Sequence, residues 1–213
     1  RDGEALRGAR AAGEEPVVQG AFDARADGRE RPQRVVEGEG DGVDAEVHAG
    51  GLLALCARRG LKAAILDATC GDLGTRGSAE LRRAEAMEAA RILGVPRVIL
   101  DLPDARFEAS EASRLRLMEA LRRLRPGVLV LPHPEDHHPD HRRIFHLGRE
   151  AAYCAGLRNY PCPGEPWRPK ALAWVGGVNP PTAPDLVVDV SEVWDQRMAA
   201  FDAFGSQFGT EPG

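Results

Sequence analysis

The amino-acid sequence predicts an α/β domain with a mostly parallel central sheet covered by helices on both faces. From residue 35 onward, short apolar runs alternate with amphipathic helical stretches. A helix between two strands is the connection that lets them run parallel. The run His137-His138-Pro139-Asp140-His141 directly follows the apolar stretch 128–132. Open parallel sheets bind ligands beyond the strand C-termini, where strand order reverses. The pattern and the histidines therefore point to one architecture.

Each element follows from its local pattern. Leu52, Leu53 and Cys56 share one side of a helix predicted over 50–59. Residues 63–66 read as a short buried strand, after which Gly71 and Asp72 shape a tight turn. Ser78 caps a helix over 79–93 and Gly94 closes it. A strand at 97–100 precedes a helix over 112–124, in which Leu115, Met118, Leu121 and Leu124 recur by threes. Residues 127–131 form the apolar strand before the histidines, and a helix runs over 139–156 with Pro139 in its first turn. Four prolines make 158–169 irregular. Strands are expected at 172–175 and 186–190, with Ser191 capping a last helix and Glu192 favourably placed at its start. Residues 1–33, rich in Arg, Gly, Ala and Glu, read as a disordered or atypical segment, leaving 34–213 as the domain.

Bulk properties narrow the function classes. A net charge of -5 with 29% charged residues makes no strong electrostatic claim on nucleic acid or anionic membrane. No apolar run approaches the roughly 20 residues that span a bilayer. The four cysteines (Cys56, Cys70, Cys154 and Cys162) lack CxxC spacing, which argues against a disulfide framework or a zinc knot. A cytoplasmic protein with reduced thiols is expected.

Three imidazoles and a carboxylate within residues 137–141, placed at a strand end, form a ligand set suited to zinc and its neighbours. Pro139 at the helix start turns His138 and His141 to one side. If the first and fourth strands flank the order reversal, loops 39–48 and 133–141 face each other. Asp41, Asp44 and Glu46 then come within reach of the histidines. Ordinary readings serve elsewhere: His133 and His137 as loop surface, His146 as structural, His48 as a helix-start residue, and Trp167, Trp174 and Trp194 as packing residues. Nothing indicates a depressed pKa at Cys70.

Five phrases occur in order between residues 35 and 208: LDATCGDLGTRG at 66–77; Glu80 to Ala86 running into Ala89 to Val95; Leu102-Pro103-Asp104; His138-Pro139-Asp140-His141-Arg142; and Val188-Asp189-Val190-Ser191 leading into Ser206-Gln207-Phe208. Together they resemble the LmbE-like (PIG-L) zinc N-deacetylases, nearest to the bacillithiol-biosynthesis branch that deacetylates N-acetylglucosaminyl-malate. The resemblance implies a Rossmann-like three-layer sandwich with a mostly parallel central sheet, and Zn2+ or another divalent metal as cofactor. It makes His141 a metal ligand, His138 the imidazole that stabilises the oxyanion, and Asp140 the residue that orients His138. Arg82 and Asp104 match positions that grip the sugar, and Arg76 lies in the loop lining the same pocket. Without the resemblance, Arg82 reads as a solvated helix residue and Asp104 as a turn former. The implied partner is a small N-acetylglucosaminyl molecule, with no nucleic acid and no membrane, and a homo-oligomer is compatible. The family continues past the Ser-Gln-Phe phrase, so the resemblance also implies a truncated C-terminus.

One motif departs from the family. Its opening Ala-His-Pro-Asp-Asp-x-Glu supplies a histidine ligand, an aspartate base and an aspartate ligand. Here Asp41 stands at the histidine position and Val43 at that of the base, while Asp44 and Glu46 match. Glu46 reads as a supporting or helix N-terminal carboxylate. Val43 cannot accept a proton, so the alternative to a working deacetylase is a catalytically impaired sugar-binding relative. A nucleotide-binding domain is a weaker rival, because no GxGxxG follows the first strand and Gly38-Glu39-Gly40-Asp41-Gly42 places acids where phosphates would need to approach. A reading-frame shift upstream of Asp44 would also produce this departure. It predicts a His-Pro-Asp phrase in another frame of the coding DNA around codons 34–45, and sequencing without that phrase excludes it.

Overall fold

The computed structural model describes residues 33–38, 44–176 and 183–209. Five strands are present among them: β1 (Gln33–Gly38), β2 (Ala63–Asp67), β3 (Arg97–Ile99), β4 (Pro126–Pro132) and β5 (Ala171–Val175). The helices are α1 (Asp44–His48), α2 (Gly50–Arg58), α3 (Ala79–Leu93), α4 (Glu111–Leu124), α5 (Pro139–Cys154), α6 (Trp194–Asp202) and α7 (Gly205–Phe208). The strands form one parallel sheet in the order β3-β2-β1-β4-β5. Strand order reverses at β1, between β2 and β4, as the loop argument requires.

Alternation along the inner strands divides the core in two. Ala63 and Ile65 of β2, with Val128 and Val130 of β4, pack in one apolar cluster with residues of α2, α3 and α6. Ala64, Leu66, Leu129 and Leu131 belong to a second cluster with residues of α4 and α5. Buried β4 and, up to Asp67, β2 are continuous apolar runs, as expected of strands covered on both faces. Ser78 accepts a hydrogen bond from the Leu81 N–H at 3.2 Å, and Gly94 closes α3 with φ 76°. In α4 the buried side includes Leu117 as well as Met118, Leu121 and Leu124, while Leu115 is only partly buried.

The expected strand at 186–190 is not in the sheet. Those residues are extended but unladdered, and Val187 is 79% exposed. Val190 instead seats on α2 at Gly51, where an added Cβ would come within 2.8 Å of it. Ser191 does not cap the last helix with its side chain; its N–H and hydroxyl both donate to Asp189, at 2.9 and 2.6 Å. A 3-10 turn (Ser191–Val193) then leads into α6. Trp167 packs as expected, its indole N–H donating to the Pro126 carbonyl at 2.8 Å, whereas Trp174 and Trp194 are half-exposed. No two cysteines pair in a disulfide. Among the described residues no helix is long and apolar enough to cross a membrane. The expectation of disorder at 1–33 falls almost wholly outside the described residues.

A buried ion network ties α1 to the sheet. The Arg97 guanidinium donates to Glu46 Oε1 at 2.6 Å, to Asp67 Oδ1 at 2.9 Å and to the Ala86 carbonyl at 3.1 Å, and it also meets Asp67 Oδ2. Two carboxylates facing one guanidinium leave a surplus negative charge in the interior. Burial accordingly raises the pKa of Glu46 to about 7, against the pull of Arg97, and raises that of Asp67. Between the ordinary carboxylate value and 7 the folded protein keeps a proton that the unfolded chain releases, so stability falls as pH rises through that window. Raising pH from 5 to 8 should lower the unfolding free energy by about 1–3 kcal/mol through this network. Urea midpoints would show it, with a clearly flatter pH profile for Glu46→Gln; equal slopes contradict the assignment.

Candidate functional site

Pro139 starts α5 immediately after His138, and the first turn carries both expected imidazoles inward. The His138 and His141 ring centroids lie 4.8 Å apart. Across the sheet's reversal, α1 begins with Asp44, whose Oδ2 lies 3.2 Å from His141 Nε2. The two residues are 97 positions apart in sequence, and the β1–β4 pairing brings them together. Asp44 keeps 23% of its side-chain surface open to solvent, while His141 is 8% exposed.

Behind His141 stands Asp136, which sequence reasoning missed. Its Oδ1 accepts the His138 N–H at 2.8 Å, and its Oδ2 lies 3.1 Å from His141 Nδ1. The imidazole is therefore held between two carboxylates. Burial works against its charge, but Asp44 and Asp136 outweigh burial and raise the His141 pKa. Asp136 sits below the usual carboxylate range: burial opposes this, but the His138 N–H and the His141 ring prevail. The available signal was local, since an aspartate two residues before a helix N-cap closes an Asx turn.

Other expected residues fall into place differently. Asp140 is buried at 1% exposure, its Oδ2 accepting the Ala105 N–H at 2.8 Å and its Oδ1 meeting Arg143. His138 Nδ1 is buried with no hydrogen-bond partner among the described residues. Arg82 is buried rather than solvated, donating to the Arg76 carbonyl at 3.0 Å and to Gln207. Asp104 is buried and accepts the Leu73 N–H at 2.9 Å. Arg76 is exposed and donates to the Gly209 carbonyl at 3.3 Å. Asp41 and Val43 lie outside the described residues.

Three secondary readings need correction. His133 is buried rather than loop surface, and its Nδ1 accepts the Glu135 N–H at 3.1 Å, closing the turn after β4. His48 ends α1 instead of starting a helix, one turn beyond Asp44. Burial lowers its pKa, against the pull of Asp44. Glu46 is the buried partner of Arg97. Cys70 behaves as expected, with burial pushing its thiol pKa up.

The donor chemistry fits a divalent cation in part. An imidazole nitrogen and a carboxylate oxygen face each other, and a second carboxylate braces the far ring nitrogen, the usual support for a metal-binding histidine. No group of three or more His, Cys, Asp or Glu suited to a metal occurs among the described residues. The expected third ligand, Asp41, is not among them.

The chain is an α/β protein with a parallel sheet and a carboxylate–imidazole pair at the reversal of its strand order. The model of the family described as PIG-L, GlcNAc-PI de-N-acetylase, matches residues 43–152, just over half the chain. The chain belongs to this family. It is 31% identical over 188 residues to the 4-oxalmesaconate hydratase of Pseudomonas putida, covering 75% of this chain and 68% of that one. It is 27% identical over 186 residues to the diacetylchitobiose deacetylase of Thermococcus kodakarensis, covering 78% and 66%. The crystal structure of the conserved protein TT1542 from Thermus thermophilus superposes with a TM-score of 0.76 at 40% identity, covering 84% of this chain and 80% of that one.

If Asp136 braces a metal-binding imidazole, Asp136→Asn should weaken zinc affinity by about 10–100-fold. Asp44→Ala should weaken it further. Competition titration against a chromophoric chelator measures both, and wild-type affinity in either variant contradicts the assignment.

Proposed function

We propose that this protein is a metal-dependent hydrolase that removes the acetyl group from an N-acetylglucosamine conjugate, with zinc as the expected cation. The observation that carries the reading is the 3.2 Å approach of Asp44 to His141 at the order reversal of the sheet. Membership in the PIG-L family and the likeness to a diacetylchitobiose deacetylase support it. By its sequence phrases the preferred substrate is N-acetylglucosaminyl-malate, which places the reaction in bacillithiol biosynthesis.

Asp44, His141 and Asp41 would hold the cation. When bound, it polarises the acetyl carbonyl and lowers the pKa of water toward ~7. Asp136 holds the His141 ring so that Nε2, not Nδ1, faces Asp44. His138, beside His141, donates to the oxyanion as water oxygen bonds to the carbonyl carbon. The C–N bond then breaks, acetate forms, and the nitrogen leaves as the free amine, taking up the proton that the attacking water gives up. Asp140 fixes the first turn of α5 through Ala105 and Arg143, so it positions His138 by way of the backbone. Arg76, Arg82 and Asp104 belong to the sugar side of the site, and Val43 leaves the place of a carboxylate base to be filled.

A second reading is hydration of a small unsaturated acid, favoured by the 31% identity to 4-oxalmesaconate hydratase. Amine release from N-acetylglucosaminyl-malate by the zinc-loaded protein decides between them. Deacetylation is expected, and Val43→Asp should accelerate it by about 10²–10⁴-fold, the usual worth of a general base. Bound zinc with no amine release from either protein overturns the hydrolase reading and leaves a sugar-binding module or the hydratase.

A further inference from the structure

The Ser206-Gln207-Phe208 phrase has a structural role that the chemistry above does not use. Gln207 bridges two parts of the molecule: its Oε1 accepts from the Arg82 guanidinium, and its Nε2 donates to the Arg76 carbonyl at 2.9 Å. Arg82 Nε donates to that same carbonyl at 3.0 Å. The short helix α7 is itself fastened to α3, because Glu85 accepts the Ser206 N–H at 2.7 Å and the Ser206 hydroxyl at 2.6 Å. Phe208 stacks on Phe201 of α6 with ring centroids 4.1 Å apart.

The loop that receives these bonds leads to the candidate site. Residues 71–77 lie between β2 and α3, and their middle is held by Asp104 through the Leu73 N–H. The next residue, Ala105, donates to Asp140 on the first turn of α5, adjacent to His141. Two hydrogen bonds, Ala105 to Asp140 and Leu73 to Asp104, therefore tie the histidine turn to loop 71–77, whose backbone runs on to the Arg76 carbonyl held by Gln207. Two glycines in the loop allow this fit. A Cβ on Gly74 would fall 1.8 Å from the Arg82 guanidinium. Gly77 has φ +73° and lies so close to Ser206 that a Cβ would come within 2.8 Å of its hydroxyl.

We propose that Gln207 is a positioning residue that latches loop 71–77 in its substrate-receiving shape, with Glu85 and Ser206 holding the latch in place. Helix α7 is thus part of the wall of the sugar site. Its consequence for catalysis rests on the N-deacetylase reading; its consequence for loop order does not.

The test uses Gln207→Ala, together with Glu85→Ala, which removes both bonds to Ser206 and loosens α7 without touching Arg82 or Arg76. Arg76 is exposed, so trypsin cleavage of the 76–77 bond, mapped by mass spectrometry on the zinc-loaded protein, reports loop order without any substrate. Both variants should be cut there at least about tenfold faster than wild type, as expected when a local opening is made easier. With N-acetylglucosaminyl-malate, KM should rise about tenfold while kcat stays within about twofold, because substrate binding and not the chemical step is disturbed. Zinc affinity should be unchanged. Wild-type cleavage at 76–77 with wild-type KM overturns the proposal, as does a loss confined to kcat. Faster cleavage in proteins that are all inactive on this substrate supports the latch and counts against the reading of function.

Discussion

The structure depends on one constraint, the reversal of strand order at β1. Because β1 lies between β2 and β4 in a parallel sheet, the C-terminal ends of β1 and β4 lie on the same edge. Neither Asp44 nor His141 has a local reason to approach the other. Their 3.2 Å separation, across 97 positions of sequence, follows from the pairing of β1 with β4. Helix starts on both sides then supply backbone that fixes the side chains, with Pro139 setting the first turn of α5 and the Glu46–Arg97 pair holding α1 against the sheet.

Burial around this edge sorts the polar groups by role. Arg97, Glu46 and Asp67 are closed off from water, with the one guanidinium shared between the two carboxyl groups. Such a triad is not a strong source of stability, since removing three groups from water offsets much of their attraction. Its effect is to pin α1 by a side chain two residues beyond Asp44, without drawing on Asp44 itself. At the candidate site the balance is different. Asp44 remains partly open, His141 is braced from behind, and His138 keeps a buried nitrogen without a partner among the described residues. Unpartnered or solvent-facing donors gathered at a strand edge are what a ligand-binding site requires.

Much of this was legible in the sequence where the signal is local. Apolar runs marked β2 to β5, Ser78 and Gly94 bounded α3, and the His138-Pro139-Asp140-His141 phrase placed two imidazoles on one side of a helix start. The non-local features were not legible. Arg97 lies 51 positions from Glu46 and 30 from Asp67, so no spacing rule could pair them. From its local sequence alone Arg82 reads as a solvated helix residue, because its partner Gln207 is 125 positions away; only the family resemblance made it a site residue. Asp136 was within reach of an Asx-turn argument and was overlooked beside three histidines. The 186–190 run had strand-like composition, but Val190 found its packing partner at Gly51.

The central claim is that Asp44 and His141 grasp one cation across the strand reversal. Anomalous diffraction at the zinc edge, from crystals of the zinc-loaded protein, tests it directly. The account predicts a single strong peak within about 2.0–2.2 Å of both His141 Nε2 and an Asp44 carboxylate oxygen. A peak ligated by other residues, or none beside this pair at saturating zinc, would contradict it.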